Sequence, residues 1–372
     1  MYIKYCQVFK QIIYSILFSL LWSFSGIAVA EQGKLHIYNW SDFIAPDTIS
    51  NFEKQSNIKV TYDVYDSNEM LDGKLMSGNT GFDLVAPTDS FLTRQIQVGI
   101  YLPLDKQKLP NYHHLDDKFM QMMAIHAPDN LYSIPYLWQS TGIGYNVNKV
   151  KEILGVDVPL DSWQLIFNVE NLKKLSKCGV AFLDAPSEMF PTVLNYLGKD
   201  PNSKNPQDYE LATQFLEKLR PYVTYFHNSK YINDLSGGDI CVAIGWSGDI
   251  MQSADVANDA GNGVEIGYIV PKEGAIITFD VWAIPKDAKN IESAYTFLNY
   301  LLDPKVMANI SNYTFYPSAN KDSLPYIDKE IINNPNIFPP DEVIARLFPI
   351  MEQSPKLDRS MVRLWSRMLS GK

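Results

Sequence analysis

Residues 35–86 read LHIYNWSDFIAPDTISNFEKQSNIKVTYDVYDSNEMLDGKLMSGNTGFDLVA, and this stretch decides the fold class. It contains three short runs with the alternation or apolar content of β-strands, and two longer segments with helix-like composition lie between them. The predicted order is strand, helix, strand, helix, strand. Strands that alternate with helices build a mostly parallel sheet with helices on both faces. The sequence therefore predicts an α/β protein.

Helix-start signals support this order. Pro46 and Asp47 are predicted to occupy the first turn of the first helix, where proline is tolerated and an acid faces the positive helix end. Ser67 is the expected N-cap of a second helix that runs to Met76. A terminal helix is predicted over residues 358–369, with Val362, Trp365 and Leu369 facing inward.

The rest of the chain predicts a second α/β unit. Residues 101–135 are rich in proline, asparagine and aspartate and are expected to be irregular. Residues 142–146 read as a strand that leaves the first lobe, and residues 276–284 alternate again and return to it. Several crossings between lobes make a hinge with a ligand cleft. The predicted first lobe comprises residues 31–139 and 277–325, and the second lobe comprises residues 140–276 and 326–372.

Residues 1–30 have the composition of a secretory signal peptide. Lys4 and Lys10 precede an uncharged apolar run, and residues 28–30 form an A-x-A cleavage site. An uncleaved membrane anchor is the alternative, but the run is short for the roughly 20 residues that span a bilayer. We expect cleavage after Ala30 and export of the mature chain.

The mature chain is acidic and retains two cysteines. The net charge of the whole chain is -10, and removal of Lys4 and Lys10 takes it to -12. This charge disfavours nucleic acid and favours cationic partners. In an oxidising compartment Cys178 and Cys241 are expected to form a disulfide, with two buried free thiols as the alternative.

Sequence signatures of enzymes are absent. The five histidines form no metal-spaced cluster with cysteine or aspartate. Residues 245–249, GWSGD, resemble a nucleophile elbow, but the second glycine comes one position early. There is also no phosphate-binding loop or complete dinucleotide fingerprint. We therefore predict a binding protein with no catalytic residue, no metal site and no cofactor.

Acidic residues occur at the ends of predicted strands, mostly beside aromatic residues. In open α/β sheets the ligand crevice lies beyond the carboxyl ends of the strands, so these segments are expected to converge. Taken singly, each acid is also explained as a helix cap or turn former. The segments are WSDF at 40–43, DAPSE at 184–188, WSGD at 246–249 and FDVW at 279–282, and Tyr316 follows a packed helix.

This combination suits a short aliphatic diamine. A carboxylate neutralises an ammonium group through charge-assisted hydrogen bonds. Aromatic faces add cation–π attraction and cover the methylene chain. An anionic or neutral ligand would leave the buried carboxylates unpaired, which is costly.

The same segments resemble those of the periplasmic polyamine-binding proteins of ABC transporters, and within them the putrescine-binding type. The resemblance implies a two-lobed, type II periplasmic-binding fold whose lobes close on the ligand. It also implies a monomer that delivers a small polyamine to an inner-membrane ABC permease. The most specific runs include LHIYNWSD at 35–42, TGIGYN at 141–146, FLDAP at 182–186, GDICVAIGW at 238–246 and FLNYLL at 297–302.

The resemblance also implies which residues bind the ligand. Asp249 and Asp280 would pair with its ammonium groups, helped by Glu188. Thr88 stands where the family has a serine, and Cys178 and Cys241 match cysteines that are bridged in the putrescine branch. The full predicted site is Trp40, Ser41, Asp42, Phe43, Thr88, Glu188, Trp246, Asp249, Thr278, Asp280 and Tyr316, with Trp40, Trp246 and Tyr316 as an aromatic box.

Two positions depart from the family pattern. Phe43 replaces a tyrosine and loses a hydroxyl, and Thr278 stands where the family usually has an aromatic residue. An open wall at Thr278 leaves cadaverine, agmatine and spermidine as alternatives to putrescine. A sensor protein that docks on a membrane receptor, or an exported hydrolase, is the alternative function.

Overall fold

The structure is a computed structural model that describes residues 32–371. The predicted signal peptide and its cleavage site lie outside the described residues. No helix within residues 32–371 has the length and apolar character that a membrane crossing requires.

Strands and helices alternate along the chain, as expected for an α/β protein. The strands are β1 (Gly33–Trp40), β2 (Ile58–Tyr65), β3 (Leu84–Val85), β4 (Ser133–Asn146), β5 (Val180–Phe182), β6 (Tyr225–Phe226), β7 (Val242–Trp246), β8 (Ile266–Ile269), β9 (Ala275–Ala283) and β10 (Leu347–Pro349). The helices before β7 are α1 (Thr48–Ser56), α2 (Asn68–Met76), α3 (Asp89–Gln97), α4 (Asp117–Met123), α5 (Val147–Leu154), α6 (Gln164–Phe167), α7 (Val169–Leu175), α8 (Pro186–Tyr196), α9 (Pro206–Leu219) and α10 (Lys230–Gly237). The later helices are α11 (Ser247–Ala260), α12 (Ile291–Leu301), α13 (Pro304–Thr314), α14 (Lys329–Ile332), α15 (Asp341–Ile344) and α16 (Pro355–Ser370). Short 3-10 segments occupy Lys106–Lys108, Pro110–His114, Pro128–Asn130, Arg220–Tyr222 and Lys321–Tyr326.

Two long antiparallel strands connect the two lobes. The described strands follow the order β2-β1-β3-β9-β4-β7-β5-β6, with β10 beside β9 and β8 beside β4. β4 pairs with β9 over residues 133–141 and with β7 over residues 141–145, so it passes from one lobe into the other. Outside this centre, the parallel pairs include β1 with β3, β5 with β7 and β5 with β6. The predicted α/β two-lobed fold class is confirmed, whereas the residue boundaries of the lobes stay a prediction.

The first two helices begin close to their predicted starts. Ser67 caps α2 as expected, because its hydroxyl accepts a hydrogen bond of 3.1 Å from the Met70 N–H. α1 begins only at Thr48, with Asp47 at the N-cap position and no capping hydrogen bond from its side chain. The prediction that Pro46 lies in the first helical turn was therefore wrong.

The terminal helix α16 buries a different face from the predicted one. Val362 is 49% exposed, so its predicted inward orientation was wrong, whereas Trp365 is buried. Apolar residues in a helix share one face when they are three or four positions apart, and Val362 lies just off the face that is covered. The buried residues are Leu357, Met361, Leu364, Trp365 and Met368.

The predicted disulfide joins Cys178, which follows α7, to Cys241, which precedes β7. The two Cα atoms are 5.5 Å apart, within the usual range for a disulfide. The bond closes a loop with a sequence separation of 63 residues, so it restricts the unfolded chain in the second lobe. The prediction of a bridge rather than free thiols is confirmed.

Candidate ligand-binding site

A narrow cavity lies where the two lobes meet. Its volume is about 20 Å³, which is space for roughly one water molecule. Eight of the predicted site residues line it, namely Trp40, Ser41, Asp42, Phe43, Trp246, Asp249, Asp280 and Tyr316. The other lining residues are Tyr65, Asp66, Gln139, Asn228, Ser229 and Ile232. The structure therefore brings most of the predicted set together, and Thr88, Glu188 and Thr278 lie behind the lining.

Asp249 is held in the cavity by two tyrosines. It lies in the first turn of α11, directly after β7. The Tyr316 hydroxyl donates to Oδ1 at 2.6 Å, and the Tyr231 hydroxyl donates to Oδ2 at 2.7 Å. Burial raises the pKa of Asp249 to about 7, and the negative charges of Asp42 and Asp66 act in the same direction. A cation beside Asp249 would lower this pKa and favour the charged form.

Asp280 is buried in the middle of β9. Its Oδ1 accepts a hydrogen bond of 2.7 Å from the Thr88 hydroxyl, which in turn accepts one of 2.9 Å from the Asn68 amide. Burial raises the pKa of Asp280 well above its ordinary value. No lysine, arginine or histidine among residues 32–371 forms a salt bridge with Asp280 or Asp249. Thr88 therefore positions Asp280 rather than lining the cavity.

Glu188 stands behind the Trp246 indole. The Trp246 Nε1–H donates to the Glu188 carboxylate at 3.0 Å, and the Thr141 hydroxyl donates to it at 2.6 Å. Burial raises the pKa of Glu188 to about 7. Because these hydrogen bonds fix the indole ring, we assign Glu188 the role of orienting Trp246.

Aromatic rings reach the cavity from both lobes. Trp40 at the end of β1 and Trp246 at the end of β7 are 5.8 Å apart between ring centroids. The Trp40 Nε1–H donates to the Ala86 carbonyl at 3.0 Å, which fixes its orientation. The Phe43 ring packs edge-on against Tyr316 at 4.8 Å. Flat apolar surfaces thus lie beside the two buried acids.

Ser41 and Asp42 form the turn that follows β1. Asp42 is exposed at the rim of the cavity and has a φ of 54°, a left-handed conformation that aspartate tolerates better than most residues. It caps no described helix, since the residue at the α1 N-cap position is Asp47. Its charge is therefore directed at the cavity entrance rather than at a helix end.

Sequence reasoning missed Gln139, which lines the cavity, and Tyr231, which holds Asp249 from behind the lining. Tyr231 lies in α10 and Gln139 in the middle of β4, and neither stands next to an acid in the sequence. Their proximity to the site depends on how α10 packs on α11 and how β4 pairs with β9. The only available signal for Gln139 was a polar residue within a strand that is buried along almost its whole length.

The described residues contain no group of three or more histidine, cysteine, aspartate or glutamate side chains arranged to hold a metal ion. The acids of the cavity instead meet aromatic rings and hydroxyl groups. This arrangement is suited to hold an organic cation.

Two lobes connected by long strands, with a polar and aromatic cleft between them, define the class of type II periplasmic binding proteins. The sequence model of the bacterial extracellular solute-binding proteins matches residues 47–339, and the chain belongs to this family. Its role is therefore binding and not catalysis.

Known proteins resemble the chain over almost its whole length. The putrescine-binding periplasmic protein PotF of Escherichia coli strain K12 is 58% identical over 348 residues, which cover 93% of this chain and 94% of PotF. The putrescine-binding periplasmic protein SpuD of Pseudomonas aeruginosa strain UCBPP-PA14 is 48% identical over 355 residues, which cover 95% and 97% of the two chains. A solved structure described as a putative spermidine/putrescine ABC transporter from Listeria monocytogenes has a TM-score of 0.81 at 31% identity, and covers 90% of this chain and 98% of that one.

Proposed function

We propose that the protein captures putrescine or a related polyamine in the periplasm and delivers it to the permease of an ABC importer. The observation that carries this proposal is a pair of buried carboxylates, Asp249 and Asp280, in a cavity lined by aromatic rings. The relatives PotF and SpuD, both putrescine-binding by name, support the choice of ligand.

The geometry supports binding by charge neutralisation. Burial deprives the Asp249 and Asp280 carboxylates of hydration. A ligand ammonium group compensates for this loss, because it forms short charge-assisted hydrogen bonds with the carboxylate. Trp40 and Trp246 cover the methylene groups, which removes apolar surface from water at about 25 cal/mol per Å². We propose that all eleven predicted site residues contribute to binding. Thr88, Glu188 and Thr278 do so from behind the cavity lining.

Closure of the lobes completes the site. A cavity of about 20 Å³ does not admit a diamine without separation of the lobes, so the ligand enters an open form. Closure follows because the ligand contacts both lobes only in the closed form. We propose that the closed form is a monomer that docks on the permease, and that the signal peptide is cleaved after Ala30. The acidic charge disfavours nucleic acid.

Replacement of either acid tests the proposal. Asp249→Asn and Asp280→Asn should each weaken putrescine binding by more than about tenfold, since each leaves one ammonium group without its counter-charge. Isothermal titration calorimetry measures the change. Asp255→Asn is the matched control, because Asp255 is an exposed aspartate on the same helix α11. Unchanged affinity in both site variants, or an equal loss in the control, contradicts the proposal.

A further inference from the structure

Gln139 and Thr278 form a polar pair beside Asp280. Gln139 of β4 stands directly opposite Thr278 of β9 in the antiparallel register. Opposite residues of such a pair lie on one face of the sheet, and Asp280, two positions along β9, lies on that same face. Gln139 lines the cavity together with Asp280.

Both side chains are buried without a hydrogen-bond partner. Gln139 is 6% exposed and Thr278 is 1% exposed. Within the described part of the chain, neither Gln139 Oε1 nor Thr278 Oγ1 has a hydrogen-bond partner. Buried polar groups are nearly always paired, because an unpaired group loses its hydration without compensation. Gln139 lines the cavity and Thr278 lies directly behind it on the strand face that carries Asp280, so a donor group of the ligand at this corner would supply the missing partner.

The number of hydrogen-bond acceptors that remain free differs between the surroundings of Asp249 and those of Asp280. Both oxygens of Asp249 already accept tyrosine hydroxyl donors. Beside Asp280, where Thr88 occupies one oxygen, the Gln139 and Thr278 oxygens add two acceptors. The Gln139 amide presents its oxygen to the cavity after a half-turn about its last bond. The Asp280 end of the site is therefore the one that suits a group with many N–H donors.

We propose that Gln139 and Thr278 determine specificity for the ligand nitrogen that pairs with Asp280, and that they favour a guanidinium group there over a primary ammonium group. A primary ammonium has three N–H donors, whereas an alkyl guanidinium has five in a planar fork. The simplest such ligand is agmatine, which carries one guanidinium and one ammonium on a four-carbon chain. The inference rests on the proposed function, since it assigns the orientation and class of a ligand bound in the same cavity.

The ratio of agmatine to putrescine affinity tests the inference. Calorimetry at pH 8 should show that the wild-type protein binds agmatine at least as tightly as putrescine. Gln139→Leu, which keeps the side-chain size and removes both polar atoms, should lower the ratio by at least about tenfold, equivalent to about 1.4 kcal/mol. Thr278→Val, a change of similar volume, should lower it in the same direction by a smaller factor. Because the readout is a ratio, a general loss of stability in either variant affects both ligands alike.

Thr192→Val is the matched control. Thr192 is also buried, and its hydroxyl also has no partner among residues 32–371, but it lies in α8 and not on the strand face that carries Asp280. Its replacement should leave the ratio unchanged. An unchanged ratio in Gln139→Leu and Thr278→Val, with putrescine still bound, overturns this inference alone. A wild-type protein that binds neither ligand overturns the proposed function as well.

Discussion

Three buried carboxyl groups dominate the energetics of the site. Burial raises the pKa values of Asp249, Glu188 and Asp280, and each carboxylate is costly to keep ionised in the absence of a cation. Hydrogen bonds from tyrosine, tryptophan and threonine oppose this effect but do not cancel it. A cationic ligand is thus part of what makes the ionised closed form favourable.

The raised pKa values predict pH-dependent binding. The Asp249 carboxyl has a pKa of about 7 and must lose its proton when an ammonium group binds. Polyamine amines, like lysine, keep their protons well above this range. Affinity for putrescine should therefore be highest above pH 7 and should fall below it, by up to about tenfold per pH unit for each proton released.

Calorimetry between pH 5.5 and 8.5, in buffers of different ionisation enthalpy, measures both the affinity and the released protons. Asp249→Asn should make the profile less steep, since its amide does not titrate whereas Asp280 and Glu188 still do. A wild-type affinity that stays constant from pH 8 to pH 6 contradicts the assignment.

Individual acids were predictable from the sequence, but their surroundings were not. Asp249 and Asp280 stand beside aromatic residues at or within predicted strands, a local pattern that the sequence displays. Tyr231 contacts Asp249 across 18 positions, and only the packing of α10 against α11 brings them together. Glu188 does not reach the cavity, because the Trp246 ring lies between them. No local sequence pattern specifies the orientation of that ring.

At the level of secondary-structure elements, β4 shows the main limit of sequence reasoning. Its C-terminal part, residues 142–146, was predicted, but the strand begins nine residues earlier at Ser133. Pro135 and the polar run from Gln139 to Thr141 conceal the strand, because they resemble a loop. Pairing with β9 stabilises these residues, and tertiary pairing of this kind overrides local propensity.

The start of α11 is packed too closely for any side chain at Gly248. A Cβ atom at Gly248 would lie 2.4 Å from Cε2 of Tyr316, the residue that donates to Asp249. Gly248→Ala should therefore displace the ring, weaken putrescine binding by more than about tenfold and lower the melting temperature, as expected for an overpacked core.

Calorimetry and thermal denaturation measure the two effects. The control is Gly73→Ala in α2, where a Cβ atom meets nothing within 4 Å, so the change should be neutral or slightly stabilising. Equal affinities in Gly248→Ala and the wild-type protein would show that the Tyr316 ring is free to move.

On the scale of the whole molecule, polar contacts hold the two lobes together around the cavity. Arg94 in α3 forms ion pairs with Asp72 in α2 at 2.5 Å and with Asp358 in α16 at 2.7 Å. α16 packs on α8 and α9 of the second lobe, so the second pair spans the interface. The Asn228 amide also donates to the Asp66 carbonyl at 3.0 Å across the cleft. The Arg94–Asp358 and Asn228–Asp66 contacts join one lobe to the other, whereas the Arg94–Asp72 pair lies within the first lobe.

Loss of the Arg94–Asp358 pair should therefore shift the balance towards the open form without changing the cavity. Asp358→Asn should weaken putrescine binding by about two- to tenfold, because the apparent affinity falls with the fraction of closed molecules. Small-angle scattering of the unliganded variant should give a larger radius of gyration than the wild-type protein, and saturating putrescine should abolish the difference. Glu210→Gln is the matched control. Glu210 in α9 forms an ion pair of 2.9 Å with Arg367 in α16, and this pair lies within the second lobe. Identical affinity and scattering for Asp358→Asn and the wild-type protein would show that the closed form does not depend on this ion pair.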